Sequence, residues 1–180
     1  MYPAACDYHR AASLAEAVRL LGEHPEARLL AGGHSLIPMM KLRMADVPHL
    51  IDLQDVGGLS GITVGPDSIR IGALVTQHDL IDSTELAAAA PILREAALQI
   101  ADPQVRYMGT IGGNVCLDTR CMFYNQSAFW RSGRPMCFKA GGEVCHVVRG
   151  GAGCHACHQA DLAPGFIAVG ASAALRRAGT

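Results

Sequence analysis

The sequence is poor in the features that would draw a protein to a polyanion or into a lipid bilayer. Only 5% of its 180 residues are aromatic and 17% are charged. Fifteen lysines and arginines face sixteen aspartates and glutamates, for a formal charge of −1. Without a net basic field, nucleic acid and anionic membrane surfaces are excluded as electrostatic partners. No uncharged apolar run approaches the ~18 residues of a membrane span. Residues 1–10 are polar where a secretory leader needs an apolar stretch, so a cytoplasmic address is expected. Neither a Ser-His-Asp order nor a nucleophile elbow is present, which removes the usual hydrolase readings. What remains is apolar bulk: half the residues are hydrophobic, enough to build a core and to exclude wholesale disorder.

Local patterns give an α+β chain. Ser13-Leu14-Ala15-Glu16 has the form of a capping box, and Leu14, Ala17, Val18 and Leu21 recur at helical spacing until Gly22 and Pro25. Residues 28–31 read as a short buried strand, 36–43 as a helical turn or two, and 49–53 as a second strand. Residues 61–64 and 68–74 flank Gly65-Pro66-Asp67 as a hairpin. Thr76 caps a helix over 76–82, and 86–100 reads as a longer helix with Pro91 near its start. Strands and helices alternate at first and mix with a hairpin later, which predicts two lobes, 1–57 and 58–180.

Two glycine-rich loops stand out. The first, Ala31-Gly32-Gly33-His34-Ser35-Leu36, follows an apolar strand. Paired glycines let backbone approach a ligand closely, and consecutive amides can form a concavity for diphosphate oxygens, with the Ser35 hydroxyl as a further donor. The loop lacks the Rossmann spacing and a Walker lysine. The second, Met108-Gly109-Thr110-Ile111-Gly112-Gly113-Asn114, adds Thr110 and Asn114 as side-chain donors. Two such loops in one small chain suit a dinucleotide, whose diphosphate and polar ends need separate anchors.

Taken together, the two loops resemble the FAD-binding subunits of the molybdenum hydroxylases, the family that includes the flavin portions of xanthine and carbon monoxide dehydrogenases. The resemblance implies a two-lobed α+β fold with FAD extended between the lobes. Ala31, Gly32, Gly33, His34, Ser35, Leu36, Thr110, Gly112, Gly113 and Asn114 would hold the cofactor, and Asp161 would contact its flavin end.

Most members of that family pass from the second loop to the aspartate within about ten residues; here Asn114 and Asp161 are separated by a stretch rich in cysteine and aromatics. Six of the seven cysteines (Cys116, Cys121, Cys137, Cys145, Cys154, Cys157) and five of the nine aromatics fall there. In a reducing compartment such a group predicts metal ligation more than disulfides. The spacing Cys121-x15-Cys137-x7-Cys145-x8-Cys154 suits a tetrahedral zinc or a [4Fe-4S] cluster, and of itself does not choose between them. Only Cys154-x2-Cys157 has the paired form usual in zinc knuckles. The words Asp118-Thr119-Arg120-Cys121, Phe129-Trp130-Arg131-Ser132 and Val144-Cys145-His146-Val147-Val148 resemble the flavin subunits of 4-hydroxybenzoyl-CoA reductases, whose insertion carries a [4Fe-4S] cluster. That resemblance implies an insertion over 117–159 with Cys121, Cys137, Cys145 and Cys154 as ligands, Cys116 as a packing residue and Cys157 able to replace Cys154.

By the same resemblance the chain is an electron-transfer subunit working with a [2Fe-2S] subunit and a large molybdopterin-binding subunit, with ferredoxin as a donor and reductive dehydroxylation of an aromatic acyl-CoA as the reaction. A zinc-stabilised binding module without redox chemistry is the alternative. His146, His155 and His158 lie among the cysteines, where four thiolates already complete a cluster. His9, His24, His49 and His78 have no partner at ligand spacing and are expected at the surface or at helix ends. Lys41, Arg43 and Arg106 could neutralise phosphate, but lone basic residues beside a strand are more often solvated. Residues 171–177 read as the start of a strand, which family members continue over the flavin; poor FAD retention is the expectation for this length of chain.

Overall fold

A computed structural model describes residues 2–177. In chain order the elements are β1 (Asp7–Arg10), α1 (Leu14–Glu23), β2 (Arg28–Leu30), α2 (Leu36–Lys41), β3 (His49–Asp52), β4 (Ile62–Val64), β5 (Ile69–Ile71), α3 (Gln77–Asp82), α4 (Thr84–Ala89), α5 (Pro91–Leu98), α6 (Pro103–Met108), α7 (Ile111–Val115), α8 (Ala128–Ser132) and α9 (Ala163–Ala168). They fall into two compact units. The larger takes Ala5–His34, Val47–Cys116 and the chain from Ala160; the smaller takes Ser35–Asp46 and Leu117–Gln159 with the first residues of the chain.

In the larger unit β1, β3 and β2 form a parallel sheet with β3 in the centre. Leu50, Ile51 and Asp52 are all buried, as expected of the middle strand of a sheet covered on both faces. Helix α1 is amphipathic and sets Ala17 and Leu20 against Ile51, Ala11, Ala27 and Val56 in one core. Each large apolar side chain buried in this way contributes about 1.5–3 kcal/mol. A second core gathers Val75, Leu80, Leu86, Leu93, Ile100, Ile111 and Leu162, and the isoleucines of the antiparallel β4–β5 hairpin pack against it. The buried residues of one core lie within 11–56 and those of the other within 75–162. The compact units cut the chain elsewhere, because α2 goes with the cysteine segment rather than with the first lobe.

Several expectations need correction. β1 was absent from the sequence reading, since Asp7-Tyr8-His9-Arg10 has no apolar alternation and forms a strand only beside β3. β2, expected to be buried, is an edge strand with Leu29 42% exposed. The single helix expected over 86–100 is two: Pro91 drives the preceding Ala90 out of the helical region (φ −144°, ψ 67°), ending α4 and starting α5. The capping box at Ser13 is half-formed. Ser13 Oγ accepts from Glu16 N at 3.2 Å, but the Glu16 carboxylate accepts from Ala12 N instead of Ser13 N. The complete box is at Thr76, whose hydroxyl accepts from Asp79 N while Asp79 accepts from Thr76 N, both at 3.0 Å. Residues 171–177 form no strand. Among the described residues no helix is long and apolar enough to cross a membrane.

Candidate cofactor site

The first glycine loop leaves the end of β2. Gly33 has φ 74°, a left-handed conformation that favours glycine. Gly32 is fixed by proximity: a Cβ there would lie 1.9 Å from Met108 O and 3.1 Å from Gly109 Cα. The first loop therefore abuts the backbone that opens the second. Among the described residues the N–H groups of Gly32, Gly33 and His34 meet no protein acceptor, and the loop is partly open to solvent. The His34 ring folds back, with Nδ1 3.1 Å from Gly32 O, so the imidazole is engaged within the loop itself. Three consecutive unpaired amides make a cradle for an anion.

The second loop is built differently. Ile111 N donates to Val75 O, Gly112 N to Ala73 O (both 2.8 Å), Gly113 N to the Thr110 hydroxyl at 3.2 Å, and Asn114 N to Thr110 O at 2.9 Å. Its amides are thus satisfied within the protein, and Gly112 gives room for backbone, since a Cβ would lie 2.8 Å from Ala73 O. Asn114, read as a ligand donor, gives its Nδ2 to Asp161 Oδ2 at 2.9 Å and accepts from Leu162 N at 3.2 Å. The pair that the sequence separates by 47 positions is in direct contact. Beside the loop, Gln77 is buried and its backbone N–H donates to Gly109 O at 2.9 Å; its side-chain Oε1 is buried and meets no partner among the described residues. Sequence reading had no signal for this side chain. An unsatisfied buried amide oxygen next to the loops, together with the open amides, fits a polar ligand in this region. Ser35 and Leu36 belong to the smaller unit, where Ser35 begins α2 with no capping bond from its hydroxyl.

In the smaller unit Cys121, Cys137, Cys145 and Cys154 line one small hollow that is open in part to solvent, together with Phe123 and Tyr124. Cys137 sits where a parallel bridge joins it to Val144, and Phe138 N donates to Val144 O at 3.0 Å, so a tight turn brings Cys137 and Cys145 to the same end. Cys145 Sγ accepts from Val148 N at 3.4 Å, and this bond holds the thiol below its ordinary pKa against the opposing effect of burial, with lesser help from the N–H groups of Val147 and His155. His155 also lines the hollow; Cys116 and Cys157 are exposed and do not. Cys116, expected to pack, ends α7 at the surface. Arg120 and Arg131 lie over the Tyr124 ring at 4.5 and 5.0 Å and both donate to Tyr124 O at 3.1 Å, while Lys139 pairs with Asp118 at 2.5 Å. Among the described residues none between Leu117 and Gln159 is a buried hydrophobic. Polar and cation–π contacts, not an apolar core, hold this segment.

Two further expectations fall. Arg106 is not a free cation: it donates to Leu98 O and Ile100 O, closing the end of α5. His9, His24 and His49 are not scattered. One ring nitrogen from each lies within 4.8 Å of one from each of the others, and among the described residues this is the one such group of three metal-ligating side chains. His78, by contrast, pairs with Asp82 at 3.1 Å on α3.

The chain is similar to known proteins. The family described as "FAD binding domain in molybdopterin dehydrogenase" matches residues 4–180. The chain is 59% identical over 115 residues to the carbon monoxide dehydrogenase medium chain of Afipia carboxidovorans, covering 63% of this chain and 40% of that one. With the medium chain of Hydrogenophaga pseudoflava it shares 51% over 116 residues, covering 64% and 40%. The structure of reconstituted carbon monoxide dehydrogenase from Oligotropha carboxidovorans superposes with a TM-score of 0.62 at 58% identity, over 64% of this chain and 41% of that one. The chain thus spans about two fifths of the length of these relatives. Paired glycine loops in contact, a satisfied Asn–Asp link behind them and a family match along nearly the whole sequence lead to one conclusion: the chain belongs to the FAD-binding domain family of the molybdopterin dehydrogenases.

Proposed function

We propose that this chain is the cofactor-binding portion of an electron-transfer subunit in a molybdenum-hydroxylase-type oxidoreductase, holding FAD on its glycine loops and a [4Fe-4S] cluster in its 117–159 insertion. The observation that carries the cluster is that the four cysteines at the spacing read from the sequence line one hollow. When bound, FAD exchanges one or two electrons and an all-thiolate cluster exchanges one, so the pair joins one-electron and two-electron carriers.

The residues of the chain supply the rest. The amides of Gly32, Gly33 and His34 would bind the diphosphate, while Gly32 keeps the two loops in register. Thr110, Gly112 and Gly113 shape the second loop, and Asn114 holds Asp161 where its other oxygen can meet the flavin end. Cys121, Cys137, Cys145 and Cys154 would ligate the cluster, with the Val148 N–H bonded to the Cys145 sulfur. N–H bonds to a ligand sulfur stabilise its negative charge and raise the reduction potential of the centre. Phe123 and Tyr124 limit water around it. The absence of a buried apolar core in the segment agrees with a centre that organises it, since small segments without a core need a staple.

The partners would be a [2Fe-2S] subunit and a large molybdopterin-binding subunit, with a strongly reducing donor such as ferredoxin, and reductive dehydroxylation of an aromatic acyl-CoA as the reaction of the complex. The test is anaerobic purification with iron, sulfide, zinc and flavin analysis. About four irons per chain, lost in Cys137→Ser while the larger unit stays folded, is the expected result. Colourless protein with one tightly held zinc would replace this reading by the zinc module.

A further inference from the structure

Three imidazoles converge beside the parallel sheet, in the larger unit and independent of both cofactor regions. Asp7 and His9 are two apart on β1 and so project to one face. β1 runs parallel to β3 with Asp7 opposite His49. His24 is the residue that ends α1, its N–H still bonded to Leu20 O, and α1 packs on the core beneath β3. His9 Nε2 lies 3.3 Å from His49 Nδ1, and Asp7 Oδ2 lies 3.6 Å from the same His49 nitrogen. The rings of His24 and His49 stack with centroids 4.0 Å apart, those of His9 and His24 at 4.9 Å. All three are half-buried.

We propose that His9, His24 and His49 form a binding site for a divalent transition metal of the zinc class, with the Asp7 carboxylate as fourth donor. The spacing carries the inference. A tetrahedral ion held by imidazole nitrogens at 2.0–2.1 Å sets those nitrogens about 3.3–3.4 Å apart, and His9 and His49 already stand at that separation. The donor set of neutral imidazoles with one carboxylate suits zinc, cobalt, nickel or copper, and is too poor in oxygen for magnesium or calcium. Ligation requires the His24 ring to turn out of its stack so that a nitrogen lone pair, rather than the ring face, meets the ion. Its place at a helix end, half-exposed, permits that rotation. A bound ion would tie β1, the end of α1 and the start of β3 at one point.

The experiment is cobalt(II) and zinc(II) titration of the full chain, with the cysteines either occupied by their own centre or alkylated, against His24→Gln and His9→Asn. One equivalent of cobalt should bind with visible tetrahedral bands and no near-ultraviolet sulfur-to-cobalt band. Each histidine substitution should weaken it by more than about tenfold, because outer-shell partners alone are worth that much. Zinc should raise Tm in the parent and not in the variants. Circular dichroism checks that each variant folds; should His24→Gln fail to fold, His9→Asn carries the test. Equal affinity and stoichiometry in parent and variants, or bound cobalt accounted for wholly by a thiolate band, would overturn the proposal.

Discussion

At the scale of single residues, the protein concentrates its constraints at a few atoms. Gly32 has no room for a methyl group because the Met108 carbonyl occupies the position of its Cβ. Gly32→Ala should cost about 1–3 kcal/mol or more through overpacking and, by separating the loops, reduce FAD affinity; thermal denaturation and flavin titration read the two effects separately. Cys145 accepts backbone N–H groups that favour its thiolate. Its alkylation rate in the metal-free protein should therefore rise at lower pH than that of an ordinary thiol, measured by mass spectrometry of iodoacetamide-treated peptides across pH. Tyr8 donates to the buried Asp52, and that bond, with smaller help from burial and from the carboxylate's charge, holds the phenol above its ordinary pKa of about 10. A raised pKa in the folded state gives stability that is complete below the ordinary value and lost as pH rises through the raised one. Tyr8→Phe should thus lower Tm at neutral pH and remove part of its fall above pH 10; a parallel offset at every pH would show that the phenol's ionisation contributes nothing.

At the scale of elements, local chemistry was legible wherever it acts within one turn. Thr76 and Pro91 could be read as helix starts because a hydroxyl acceptor and a missing N–H act on neighbours a few positions away. The complete box at Thr76 makes its own prediction: Thr76→Ala should cost about 1 kcal/mol, a loss of about 2–4 °C in Tm for a chain of this size. What the sequence hid depends on partners far along the chain. β1 is a strand because β3 lies beside it, and its four residues carry no alternation of their own. The three histidines at positions 9, 24 and 49 have no meaningful spacing until that same pairing brings them together. The glycine loops and the four cysteines were legible as residue types. That Gly32 touches Met108, or that Gln77 leaves a buried oxygen unpaired beside them, needed three dimensions.

At the scale of the molecule, two strategies of cohesion share one chain. The larger unit has two apolar cores, while Leu117–Gln159 has none among its described residues and is held by stacked guanidinium groups, the ion pairs of Asp118 with Arg120 and Lys139, and its turns. Stability should be distributed accordingly. On the proposal of a metal centre in this segment, the metal-free segment should be cut by protease well before Val47–Cys116 and the metal-loaded segment should resist as long; limited proteolysis with mass spectrometry compares the two states.

The contact between Asn114 and Asp161 has a consequence for how such a protein arises. The two ends of the cysteine segment meet at the Asn114 side chain, which bonds both Asp161 and Leu162 N, so the intervening polypeptide behaves as a cassette clipped in at one place. Loop closure grows only slowly in cost with length, and an ancestor lacking the cassette would need merely a short bridge there. Lineages can then gain or shed such a segment in one step, without rethreading the scaffold that receives it.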